Sequence, residues 1–189
     1  MQAPLLSLAV VLVVPLWGQY QIDSESLAPF FPSPQEVVER MLEAAHIRPG
    51  ELVYDLGCGD GRVVITAAQR FKARAVGVEI KDFLVKSTNK RVEAMGLTSS
   101  VQIVHGNALK TDLSQADVVT LYLLTRSNEL LRPNFEKQLK NGARVVSYEY
   151  PIREWTAVRT EQVEVQGISH NIFVYEMPLS KGKPPKKSR

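Results

Sequence analysis

The sequence predicts an α/β fold on a mostly parallel sheet, and three observations carry that prediction. Apolar residues Leu52, Val53 and Tyr54 suit a buried strand; glycines at 57, 59 and 61 follow, and Val63–Ala68 then continues into a helix. A second apolar run, Ala73 to Ile80, ends in Gly77-Val78-Glu79-Ile80, which places an acid at the carboxyl end of the next strand. Two alternating stretches near the C-terminus, 160–165 and 171–176, are joined through Gly167 and predict an antiparallel pair.

Taken in order, residues 3–17 are apolar apart from Ser7, a run of fifteen, shorter than the ~20 residues a spanning helix needs. The run has the length of a signal-peptide core, but the first Lys or Arg of the chain is Arg40, so flanking charge gives no orientation. A cleaved export signal, a short membrane anchor and a helix lying on a partner all fit. We assign residues 1–18 as an anchor or signal peptide, 19–34 as a linker and lid, 35–178 as the folded domain, and 179–189 as a basic disordered tail. Residues 18–34 carry Pro29, Pro32 and Pro34 together with Phe30 and Phe31. From Ser33, a suitable N-cap, a helix is expected to about His46, with Val37, Val38, Met41, Leu42 and Ala45 on one face. A further helix should cover Lys81 to about Met95 before Gly96, and Val101–Val104 a third strand. Ala116–Leu124 reads as the fourth strand, Asn128–Lys140 as a helix packing Leu130, Leu131, Phe135 and Leu139, and Val145–Tyr148 as the next strand.

Charge and composition exclude several function classes. The chain has 189 residues, enough for one domain, and a formal charge of +3. Lys181, Lys183, Lys186, Lys187 and Arg189 supply five cations with no acid among the last ten residues, which leaves 18 basic against 20 acidic residues elsewhere. The body is therefore slightly acidic and offers no basic face for nucleic acid. The single cysteine, Cys58, forms no internal disulfide and no cysteine-rich metal site; its place in a tight turn suits packing better than nucleophilic chemistry.

The glycine turn determines the ligand class. Sharp strand-to-helix turns leave backbone N–H groups free, and glycines let a ligand lie against the backbone. The dinucleotide pattern G-x-G-x-x-G fails at Arg62, and no P-loop lysine follows. Asp55 and Asp60 flank the glycines and would repel a phosphate, whereas they suit a ligand with a positive centre, such as S-adenosyl-L-methionine. Glu79, 24 residues after Asp55, stands where an acid accepts ribose hydroxyls.

The segments Asp55-Leu56-Gly57-Cys58-Gly59-Asp60-Gly61-Arg62 and Val76-Gly77-Val78-Glu79-Ile80 resemble the class I S-adenosylmethionine-dependent methyltransferases. Residues 31–38, 118–124, 131–133 and 142–147 are similar to the small protein-lysine methyltransferases, which include archaeal broad-specificity enzymes and the mitochondrial enzyme acting on the membrane-ring protein of ATP synthase. The resemblance runs from about residue 30 to 178. It implies a Rossmann-like, mostly parallel seven-stranded sheet with helices on both faces and a C-terminal antiparallel hairpin. It also implies that the Phe30–Phe31 segment folds over the pocket, and that the loop after the third strand holds the adenine, here through Asn107.

The expected cofactor site is thus Asp55, Gly57, Gly59, Asp60, Gly61, Glu79 and Asn107, the two aspartates facing the positive methionine end. Tyr122, Glu149 and Trp155 are expected beside the acceptor, where aromatic faces and a carboxylate suit a cationic lysine stem. No general base is assigned, and His105 reads as a strand-end residue. Lacking an [ND]-P-P-[YF] motif after the fourth strand, the chain does not match enzymes acting on DNA adenine or glutamine amides. The expected partner is a protein, with membrane association through residues 3–17. Because S-adenosylmethionine is made in the cytosol, the domain is expected to face it; export is the alternative if residues 1–18 are cleaved. A methyltransferase for a small molecule or RNA, or a non-catalytic cofactor-binding module, are the competing readings.

Overall fold

The computed structural model describes residues 26–178. Helix α1 (Gln35–Ala44) leads into β1 (Leu52–Leu56), α2 (Arg62–Phe71), β2 (Arg74–Glu79), α3 (Asp82–Ala94) and β3 (Val101–His105). After a 3-10 turn over Ala108–Lys110 come β4 (Val118–Leu121), α4 (Thr125–Gln138), β5 (Arg144–Tyr148), β6 (Arg159–Val165) and β7 (Ile168–Glu176). The seven strands lie in the order β3-β2-β1-β4-β5-β7-β6, parallel from β3 to β5 and antiparallel where β7 joins β5 and β6. The expected sheet and hairpin are therefore present. The expected signal or anchor, the first seven residues of the linker (19–25), and the basic tail lie outside the described residues. Among the described residues, no helix is long and apolar enough to cross a membrane.

The period-two pattern of the strands builds two cores. Val53, Val118, Val146 and Val174 face one side with α1, α2 and the inner positions of α3; Leu56, Val119, Leu121, Val145 and Tyr175 face the other with Leu131 and Phe135 of α4. Both faces are buried, which explains why the central strands read as nearly continuous apolar runs. In the β6–β7 hairpin, Gln166 and Gly167 both take positive φ (52° and 78°), as a two-residue turn matched to strand twist requires.

Several boundaries differ from expectation for physical reasons. Pro34, not Ser33, caps α1, with no side-chain cap hydrogen bond; Ser33 is buried and its carbonyl is bound by the Arg62 guanidinium. Strand β4 ends at Leu121, and α4 begins at Thr125, three residues early. Pro133 consequently lies in the helix interior; Leu130 is exposed, while Leu131 and Phe135 are fully buried.

Candidate active site

Strand order reverses between β1 and β4, and a cavity opens at the carboxyl ends of β1, β2 and β4, the usual ligand position in open α/β sheets. Its volume is about 850 Å³, counting the part open to solvent. Asp55, Gly57, Gly59, Asp60, Glu79, Asn107 and Tyr122 all line it. Residues 26–33 form one wall, with Phe31 largely exposed at the rim.

The glycine loop differs from the expected cradle of free donors. The Val78 carbonyl accepts from both Gly57 N–H (2.8 Å) and Cys58 N–H (3.0 Å), Glu79 Oε2 accepts from Gly59 N–H (2.9 Å), and Gly61 N–H donates to the Cys58 carbonyl (2.9 Å). Thr88 Oγ1 closes the loop by donating to the Gly59 carbonyl (3.0 Å). With these amides satisfied internally, the turn offers little to a phosphate. The absent Cβ at Gly59 makes room for the Phe30 ring, which a Cβ there would meet at 2.5 Å, and that at Gly57 for Leu123, at 3.2 Å, so these glycines seat two side chains of the cavity wall. Gly61 does not line this cavity. A Cβ there would strike Thr88 Cγ2 at 2.4 Å, so this glycine admits α3 rather than the ligand. Sequence reasoning missed Gly77, whose absent Cβ makes room for Cys58 Sγ at 2.6 Å. Burial, with Asp55 and Glu79 nearby, pushes the Cys58 thiol far up, so it stays protonated and packs.

The carboxylates are arranged unequally. Glu79 is buried and accepts three backbone N–H groups, from Gly59, Ile80 and Lys81, each at 2.9 Å. Its four lone-pair sites leave one for an outside donor. Asp55 is also buried and accepts from Thr120 Oγ1 at 2.7 Å. Burial pushes its pKa up to about 7, against the lowering effect of the Thr120 hydroxyl, and the charges of Glu79 and Asp60 add to the rise. Asp60 instead grips Arg62, with contacts of 2.6 Å to Nη2 and 2.9 Å to Nε, and sits 3.7 Å from Arg91. Arg62, given no binding role by sequence reasoning, lines the cavity and ties this carboxylate to Ser33 on the wall opposite. Arg62→Ala is expected to speed proteolysis within 26–33 and to weaken cofactor binding roughly tenfold, about one charge-assisted hydrogen bond, by limited digestion and calorimetry.

Asn107 lines the cavity, but its Oδ1, expected to meet adenine, accepts from Leu109 N–H at 2.9 Å and caps the 3-10 turn. His105 is a strand-end residue, with Nε2 3.0 Å from the Ile80 carbonyl. Tyr122 is the expected acceptor residue that reaches the cavity. Trp155 is not among the cavity residues: its indole packs against Phe135 and Tyr175, and Nε1–H donates to Glu136. Glu149 is also off the cavity wall, 2.9 Å from His170 Nδ1. Among the described residues, no group of three His, Cys, Asp or Glu is placed to hold a metal.

These features fit S-adenosyl-L-methionine. Two buried carboxylates, Asp55 and Glu79, suit a ligand carrying sulfonium and ammonium groups. An aromatic wall and a glycine floor suit an adenosine without phosphates.

Comparison with known proteins agrees. Residues 55–159 match the ANTKMT methyltransferase domain. A protein-lysine N-methyltransferase of Saccharolobus islandicus is 47% identical over 148 residues, 78% of this chain and 92% of that protein. An adenine nucleotide translocase lysine N-methyltransferase of Mus musculus is 32% identical over 130 residues, 69% of this chain and 56% of that one. A crystal structure described as an RNA methyltransferase from Salinibacter ruber, in complex with S-adenosyl-L-homocysteine, superposes with TM-score 0.73 at 38% identity, covering 84% of this chain and 100% of that one. The chain belongs to the ANTKMT methyltransferase domain family and is an S-adenosyl-L-methionine-dependent methyltransferase.

Proposed function

We propose that the chain methylates lysine side chains of proteins. The observation that carries this reading is the 47% identity to the archaeal protein-lysine N-methyltransferase, which extends over nearly all of that protein. The chemistry is compatible with the cavity. S-adenosyl-L-methionine supplies a methyl group on a sulfonium; the C–S bond breaks as the N–C bond forms. The lysine amine, ordinarily of pKa about 10.4, must first lose its proton. A pocket walled by Phe30 and Leu123 disfavours the charged amine by desolvation, and water can carry the proton off. Asp55 and Glu79 anchor the cofactor, and Tyr122, which lines the cavity at the end of β4, stands beside the acceptor stem.

The Salinibacter structure's description favours a second reading, an RNA acceptor. The slightly acidic body of this chain weighs against it. Incubation of the purified protein with methyl-labelled cofactor and host lysate separates the two. Label in discrete protein bands, released as methylated lysine on hydrolysis, is expected; label confined to RNA or to solvent-extractable material overturns the lysine reading. We also propose that residues 3–17 tether the domain to a membrane on its cytosolic side, supported by the apolar run and the cytosolic source of cofactor. Protease protection on vesicles should leave the domain accessible on that side; a cleaved, exported product would refute it.

A further inference from the structure

Strand β4 is apolar except at one position. Val118, Val119 and Leu121 are fully buried, and so is Thr120, whose hydroxyl must therefore find a partner inside the protein. β4 runs beside β1 where the strand order reverses, and the register pairs Thr120 with Asp55. With a period of two, both side chains leave the sheet on the face of Val53 and Val118.

The hydroxyl has one proton and two oxygens near it. Asp55 Oδ1 lies at 2.7 Å, whereas the Tyr54 carbonyl lies at 3.3 Å, beyond the usual range for an O–H donor, so the carboxylate receives the proton. Branching at Cβ restricts χ1 of Thr120, which keeps the donor in place. Its hold on Oδ1 fixes the plane of the carboxylate and leaves the other oxygen for a ligand in the cavity that Asp55 lines. The neighbouring carboxylates are held differently. Asp60 is paired with the Arg62 guanidinium at 2.6 Å, which cancels its charge, and Glu79 is bound by three backbone amides. A neutral hydroxyl orients Asp55 without cancelling its charge, so of the two aspartates expected at the methionine end it is the one left to attract a cation.

We propose that Thr120 is a positioning residue for the cofactor, acting through Asp55: its hydroxyl holds one carboxylate oxygen so that the other meets the ammonium group of the methionine end. This deepens the cofactor site described above and rests on Asp55 meeting that cationic end; it is independent of which acceptor is methylated.

The test is calorimetry on the full chain with two ligands. S-adenosyl-L-homocysteine carries the ammonium group, and 5′-methylthioadenosine keeps the adenosine and sulfur but lacks the amino-acid end. Thr120→Val should weaken the first roughly tenfold, about one charge-assisted hydrogen bond, and change the second by less than about twofold. Thr120→Ser, which keeps the hydroxyl, should bind both as wild type does. In Thr120→Val the affinity for S-adenosyl-L-homocysteine should also require a higher pH, because the carboxylate has lost a donor that favours its ionised form. Equal losses for the two ligands, or a serine variant as weak as the valine one, would make Thr120 a packing residue and overturn the proposal. Should the valine protein not fold, Thr120→Ala against Thr120→Ser reads the same hydroxyl. Asp55→Asn separates the premise from the proposal. Unchanged affinity for S-adenosyl-L-homocysteine in that variant removes Asp55 from the site and the proposal with it, whereas a loss there with none in Thr120→Val overturns the positioning role alone. A failure of the lysine reading would show in the labelled acceptor and leave these affinities as they are.

Discussion

Replacing Glu79 by alanine is expected to abolish measurable cofactor binding and to cost the unliganded fold about 2–4 kcal/mol. Both effects come from the same carboxylate. It accepts the N–H groups of Gly59, Ile80 and Lys81 in a buried position, and truncation leaves three donors with only whatever water enters the cavity. Its remaining lone pair is the expected ribose contact, and loss of a charge-assisted bond together with the set of the glycine loop should weaken affinity on the order of a hundredfold or more. Glu79→Gln keeps the shape but turns one acceptor into a donor facing backbone N–H groups, so it should also lower both quantities. Titration calorimetry and thermal unfolding measure both quantities. An alanine variant with unchanged affinity would remove Glu79 from the site.

The second large effect is a pH dependence centred on Asp55. Its folded pKa, pushed up to about 7 chiefly by burial, stands well above the ordinary value near 3.9 of the unfolded chain. The folded state therefore binds the extra proton between those limits. The contribution of Asp55 to the stability of the unliganded protein is full below about pH 4, falls as pH rises towards 7, and levels off beyond, by up to about 4 kcal/mol. A cation bound beside Asp55 reverses the shift, so cofactor binding near pH 6.5 should release a fraction of a proton. Calorimetry in buffers of different ionisation enthalpy reads that fraction directly. Asp55→Asn preserves an acceptor for Thr120, should flatten the stability profile, and should abolish the proton release while weakening binding. Proton release equal to wild type in that variant would assign the titration to another group.

Much of this architecture was legible in the chain because its strands are buried on both faces and its turns are marked by glycine. Leu52–Leu56, Arg74–Glu79 and the terminal hairpin fall where apolar runs and Gly167 place them. Local signals failed where tertiary contacts decide. Ser33 has the chemistry of a cap, yet its carbonyl serves Arg62, and Pro34 supplies the helix start. Leu130 faces solvent because it lies one residue, about 100° around the helix, off the four-residue spacing that buries Leu131 and Phe135. Trp155 has the composition of a binding residue and the position of a core one. The roles of Arg62, Gly77 and His170 depend on partners 29, 19 and 21 residues away, at Ser33, Cys58 and Glu149, and no spacing rule reports such pairings. The glycine pattern suggests open donors; the fold turns those same amides inward, onto Val78 and Glu79.

That inward turn has a consequence for competition inside a cell. Adenine nucleotides share the cofactor's base and sugar, and their abundance would flood any binding site that also rewarded an anion. Here the polyphosphate tail meets carboxylates and amides already spoken for, so ATP and NAD should be poor inhibitors even in large excess, while the uncharged thioether left after transfer competes well.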